Sequence, residues 1–325
     1  MKREFHVERL AAWLKERLPR IPRLNLDPSR IQVSHVLNWG GFVNHSFSVQ
    51  DGESRYHLKL TNDPDSVAKL QRWHTMRDGL ERRYRAPRVM DWLDFPEIGF
   101  AGLVQQQIDG RNATFRESSA LVDQLIELVG RLHKDADLAS LLGESGPPKT
   151  CFDHFVETYI ERFDADLEAI AGRELPFVSP ALREWMRDET GSLREAAYSE
   201  PAFHVQATAP VHSDLNEGNV LVALNDWFVL DWDDLALGDP AVEFAVLLWP
   251  VVFEGGHWNE FSIPDADDAF RKRIELCFRA QVLDEVIDPL ADYVAADAVP
   301  SRQAEVRRVK KQGHEKGLER YRSKW

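Results

Sequence analysis

Asp214, Asn219 and Asp231 are the side chains whose types and spacing best suit a chemical reaction. The first two lie five apart in VHSDLNEGNVLV (211–222), and Asp231 follows Asn219 by twelve residues in FVLDWD (228–233). Apolar runs at 220–223 and 227–230 flank a turn at Asn225-Asp226. A hairpin of that length brings Asn219 and Asp231 to the same end. An amide oxygen beside a carboxylate is a pair of hard oxygen ligands suited to Mg²⁺, and Asp214 is left to accept a proton. Phosphoryl transfer asks for these parts: a metal on the nucleotide phosphates and a carboxylate orienting the attacking hydroxyl. The H-x-D-x₄-N spacing alone is only moderately specific. Joined to Asp231-Trp232-Asp233 and then Gly238-Asp239-Pro240, it becomes a strong signal.

HSDLNEGNVLV followed by VLDWDDLALGDPAVEFA resembles the signature of the aminoglycoside phosphotransferase family, itself similar to choline kinases and other small-molecule kinases of protein-kinase-like fold. The family shows H-G-D-L-H-P-G-N and then I-D-W-E with G-D-P. This chain departs at Ser213, Asn216, Glu217 and Asp233. The resemblance implies Asp214 as catalytic base, Asn219 and Asp231 as metal ligands, and His212 as an orienting residue. Asp233 stands in the acidic position of D-W-E, at the edge of the site. Gly40-Gly41, in Trp39–Asn44, resembles the turn that covers the nucleotide phosphates, although such a pair also makes ordinary hairpins. Lys59, in Tyr56-His57-Leu58-Lys59-Leu60, occupies the strand of the phosphate-contacting lysine. Gln107, before Gly110, falls at the hinge whose backbone meets the base.

The cofactors implied are ATP or GTP with Mg²⁺, and the reaction is transfer of a γ-phosphoryl group to a hydroxyl of a small molecule. One part is missing. The family places a glutamate on the helix after Lys59, and residues 66–80 contain none. Asp65, Asp78 or Gln71 are the candidate substitutes. An unpaired Lys59 would instead suit a weak or inactive kinase-like scaffold. A protein kinase is disfavoured, because the chain runs from Asp231 to Gly238-Asp239-Pro240 without a long activation segment.

The elements that must position these residues follow from periodicity. Val7, Leu10, Ala11, Leu14 and Leu18 set a leading helix over 6–18. Segments 31–37, 43–50, 55–61, 87–92 and 101–108 read as strands, with Asp51-Gly52 turning the second into the third. Between them, Asp63 caps and Pro64 opens a helix to about Leu80. Beyond residue 108 the apolar stripes are helical: 121–132, 152–167, 180–197 and a helix from Pro240 capped by Asp239. The fold class is α+β, in two lobes. Residues 1–108 form an antiparallel sheet lobe for the nucleotide, and 109–325 a helical catalytic and substrate lobe ending in a basic tail, 302–325.

Composition bounds the partners. A net charge of −14 argues against nucleic acid or an anionic membrane and suits a cationic acceptor. The tail opposes this balance with nine Lys/Arg against three Asp/Glu, as expected of a solvated helix lying on an acidic body. No apolar run is long enough to span a bilayer, and the first residues lack the apolar core of a signal peptide. Cys151 and Cys277 match no metal or redox spacing, so a cytoplasmic protein with two free buried thiols is expected.

Overall fold

The computed structural model describes residues 7–36, 44–143, 149–224, 226–298 and 303–325. Gly40 and Gly41 lie outside the described residues. In place of a single cut after residue 108, the chain divides into a first unit of residues 1–113 with 217–235, and a second of 114–216 with 236–325. The reason is strand pairing. β8 (Val220–Val222) lies between β6 (Arg111–Asn112) and β9 (Trp227–Val229), which carries the hairpin into the first unit.

In the first unit, β1 (Gln32–Val36), β2 (His45–Gln50), β3 (Arg55–Thr61), β4 (Val89–Phe95) and β5 (Phe100–Gln106) form an antiparallel sheet ordered β1-β2-β3-β5-β4. Alternation along the strands separates two faces. Phe47, Val49, Leu58, Leu60 and Val104 join Leu10, Leu14 and Leu18 of α1 (Val7–Arg17) in one apolar cluster. The opposite set carries Ser46 and Ser48, paired in register with Lys59 and His57, and these with Leu103 and Gln105. β5 approaches β3 closely: a Cβ at Gly102 would fall 1.9 Å from the Lys59 carbonyl oxygen. α2 (Pro64–Tyr84) begins as expected, with the Asp63 carboxylate accepting from the Ser66 N–H at 3.0 Å. It packs against β4 and β5 with Leu70, Trp73, Met76 and Leu80 buried.

The second unit is mainly helical. α3 (Ser119–Leu132), α4 (Ala136–Gly143), α5 (Cys151–Phe155), α6 (Glu161–Ala169) and α7 (Pro180–Ser199) are followed by a two-stranded pair, β7 (Ala209–Val211) with β10 (Ala236–Gly238). α5 runs into α6 through a π turn at Val156–Ile160. α8 (Pro240–Phe253) is capped by Asp239, whose Oδ1 accepts from the Ala241 N–H at 3.0 Å. α9 (Asp268–Ala295) packs on both α8 and the tail helix α10 (Gln303–Lys324). The tail is docked rather than free: Lys310 pairs with Asp292, Arg307 with Asp297 at 2.7 Å, and Lys316 with Glu254 at 2.7 Å. Both cysteines are free and buried. Among the described residues no helix is long and apolar enough to cross a membrane.

Candidate active site

Among the described residues, Lys59 is the first of the sequence-predicted site residues in the first unit. Its place inside β3 buries it, leaving it 5% exposed. A lysine there requires counter-charge, since an unpaired buried ammonium is costly. The counter-charge comes from the segment after β9. Lys59 Nζ lies 2.8 and 2.9 Å from the two carboxylate oxygens of Asp233 and 3.2 Å from Oδ1 of Asp231. Burial alone would lower the lysine's pKa, but the two carboxylates reverse this and hold it above its ordinary value. The sequence candidates for a substitute partner, Asp65, Gln71 and Asp78, are all exposed on α2.

Asp231 itself adopts a left-handed backbone, φ 56° and ψ 56°, with its side chain 44% exposed. Asn219 is tied to the same end of the hairpin: its carbonyl accepts from the Leu230 N–H at 2.8 Å, and Val220 pairs with Val229. An amide and a carboxylate thus share one strand end, a donor set that fits Mg²⁺ with phosphate and water oxygens completing the shell. Among the described residues, no group of three or more His, Cys, Asp and Glu is arranged to hold a metal without such help.

Among the described residues of the first unit, Asn44 Oδ1, Trp73 Nε1 and Gln107 Oε1 are buried without a hydrogen-bond partner. Native proteins leave few such groups, and an absent ligand is one reason for them. Asn44, three residues after Gly41 in the sequence, donates from Nδ2 to Asp233 Oδ2 at 3.2 Å. The indole of Trp73 lies with its centroid 5.9 Å from Lys59 Nζ. His57, two residues before Lys59 on the same strand face, is held below its ordinary pKa by burial, with Asp231 opposing that shift. Trp73 and His57 are missing from the motif-based reading. The alternation of β3 marks His57, whereas nothing local to α2 marks Trp73.

The second unit holds the other part of the motif. His212 is fully buried, and its Nδ1 accepts from the Asp214 N–H at 3.3 Å. Glu243 of α8 is also fully buried, and its Oε2 accepts from the N–H groups of His212 and, at 3.4 Å, Ser213. Burial pushes the Glu243 carboxyl up to about 7, the two N–H donors oppose this, and the charge of Asp214 adds to it. Ser213 bends the loop with φ 74°. Asn216 donates from Nδ2 to Asp214 Oδ1 at 2.6 Å, so a departure from the family pattern orients the candidate base. The unit boundary falls inside the motif, placing Asp214 in the second unit and Asn219 in the first.

A profile of the phosphotransferase enzyme family matches residues 35–273. The chain belongs to that family. A search of curated protein sequences finds no match. Solved structures resemble this phosphotransferase along nearly its whole length. The GDP and kanamycin complex of APH(2″)-IIia is 14% identical, with a TM-score of 0.62, covering 97% of this chain and 99% of that one. Spectinomycin phosphotransferase with ADP and spectinomycin is 14% identical, with a TM-score of 0.57 and coverage of 98% and 99%. Choline kinase from Cryptosporidium parvum is 15% identical, with a TM-score of 0.54 and coverage of 98% and 96%. At these identities the likeness concerns the fold. It agrees with the α+β, kinase-like architecture of an antiparallel sheet unit and a helical unit.

Proposed function

We propose that this phosphotransferase moves the γ-phosphoryl group of ATP or GTP to a hydroxyl of a small molecule. The observation that carries the reading is the Lys59 cluster: a buried cation held between Asp231 and Asp233 beside the strand end that bears Asn219. Lys59 binds phosphate oxygens, which replace part of its present carboxylate contact. Asn219 and Asp231 hold the Mg²⁺, which when bound neutralises phosphate charge. Asp214 orients the acceptor hydroxyl and takes its proton. The scaffold reading drew on an unpaired Lys59; the carboxylates at 2.8 and 3.2 Å remove that ground.

The acceptor class proposed is an alcohol that also carries an amine. The net charge of −14 favours a cation. In the second unit a crowded acidic set lies on α6 and α9, where burial, and then neighbouring carboxylates, push Asp166 and Glu285 up to about 7. Arg162 and Lys310 offset only part of that charge. The similar structures above are named for, or bound to, kanamycin, spectinomycin and choline, hydroxyl compounds that carry amines or, in choline, a quaternary ammonium.

Release of ADP or GDP is measured across a panel of amino alcohols with Mg²⁺, for the wild type and for Asp214→Ala. The variant is expected to keep its Mg²⁺-dependent thermal shift with nucleotide while turnover falls by about 10²–10⁴-fold. Unchanged turnover removes Asp214 from the role of base. A wild type with no shift from ATP or GTP overturns the phosphotransfer reading.

A further inference from the structure

Helix α2 offers Lys59 no carboxylate. Its buried residues are Ser66, Leu70, Trp73, Met76, Leu80 and Tyr84, and its acidic residues, Asp65, Asp78 and Glu81, are exposed. What the helix presents to Lys59 is the face of Trp73, an attractive but undirected contact for an ammonium group. The directed contact comes from elsewhere. Both oxygens of Asp233 lie within 2.9 Å of Nζ, against one oxygen of Asp231 at 3.2 Å. We propose that Asp233 is the positioning carboxylate for Lys59, delivered by the turn after Asp231 in place of a glutamate on α2.

The turn is built to hold that carboxylate still. Residues Trp232–Asp234 form one helical turn. Trp232 anchors it, fully buried, with Nε1 donating to the Val229 carbonyl at 2.8 Å and its ring 6.0 Å from that of Tyr84. Asp234 ties the turn to α2 through Lys69 at 2.6 Å. The Asp233 side chain is only 12% exposed, and Asn44 donates to its Oδ2 at 3.2 Å. Asp231, by contrast, is 44% exposed and free to turn toward a metal. The two acids therefore divide the work. Asp231 can leave the lysine for a cation, and Asp233 keeps Nζ in place when it does. In protein kinases the equivalent lysine needs its helix-borne glutamate for activity, so a substitute carboxylate has a function to serve here.

This inference rests on the phosphotransfer reading, and the test separates the two. Mg·ATP and Mg·GTP turnover is measured for the wild type, Asp233→Asn, Lys59→Met and the double variant, with folding checked by thermal unfolding. Measurable wild-type nucleotide binding and turnover establish the reading; their absence defeats that reading rather than the role of Asp233. Given turnover, Asp233→Asn is expected to lower kcat/KM for the nucleotide by about tenfold or more. It should cost nothing further, within about twofold, once Lys59 is already Met, because a residue acting through another gives non-additive effects. The Mg²⁺ concentration for half-maximal rate should stay unchanged, and Asp233→Glu should recover part of the loss. Additive losses overturn the proposal, as does a raised Mg²⁺ requirement, which would make Asp233 a metal ligand. Should Asp233→Asn fail to fold, Asn44→Ala loosens the same carboxylate and is expected to lower kcat/KM in the same direction; no change overturns the proposal.

Discussion

The Lys59 cluster and the 212–216 loop bury acidic groups in different ways. Asp233 is held by a cation, and the lysine it meets is driven further into its charged form. Glu243 meets only backbone N–H donors, and burial leaves its carboxyl at about 7. A counter-ion fixes the charge state of a buried group across the physiological range, whereas dipoles alone leave it able to titrate there. The Lys59 ammonium therefore stays charged across that range, whereas the 212–216 loop is held by a carboxyl that can titrate within it.

The largest break in this comparison is Lys59→Met. It leaves Asp233 buried without its cation, and removing one partner of a buried pair costs about 3–5 kcal/mol. A drop of that order in the denaturation free energy is expected at neutral pH, together with weaker Mg·nucleotide binding by calorimetry. A variant as stable as the wild type would show that the pair contributes little and that Asp233 is solvated by other means.

Glu243→Gln tests the other half. The folded state binds the Glu243 proton more tightly than the unfolded state, whose glutamate has the ordinary value of 4.5. Stability from this group is therefore complete below about pH 4.5 and lost as pH rises through about 7. The whole effect is on the order of 3 kcal/mol, at 1.36 kcal/mol per pKa unit. The glutamine keeps an acceptor for the His212 and Ser213 N–H groups but cannot ionise. Urea midpoints compared at pH 5 and pH 8 should fall more for the wild type than for Glu243→Gln. Parallel pH profiles would place the titrating group elsewhere.

Much of this arrangement is legible in the sequence because it is local. Strand alternation, Asp51-Gly52, the Asp63-Pro64 and Asp239-Pro240 helix starts and the five-residue Asp214–Asn219 spacing all act within a few residues. The partner of Lys59 is not local. Asp233 lies 174 residues away, and an expectation framed around the neighbouring helix looks for it in α2. Glu243 is similar: it falls in the first turn of α8, but its bonds to the 212–213 backbone depend on how α8 packs. The unit boundary inside the motif also escapes sequence reading. It follows from β8 pairing with β6, a contact between strands of two and three residues whose sequences carry no pairing signal.

The smallest expected effect separates the two left-handed residues, one in each region. Asp231 holds φ 56° and Ser213 φ 74°. Aspartate tolerates this conformation because its short polar side chain bonds locally; serine gains less, and the strain runs to about 1–2 kcal/mol for an ordinary residue. The family pattern has glycine at the Ser213 position. Ser213→Gly relieves the strain but loses chain entropy in the folded state, about 0.5–1 kcal/mol. A net gain of up to about 1 kcal/mol follows, seen by calorimetry as a rise in Tm of about 1–3 °C. The Glu243 contacts to the loop run through backbone N–H groups, which glycine keeps, so turnover should hold. A fall in Tm would mean that the Ser213 hydroxyl, rather than the backbone alone, ties the loop down. The loop would then depend on a side chain where the Lys59 cluster depends on charge.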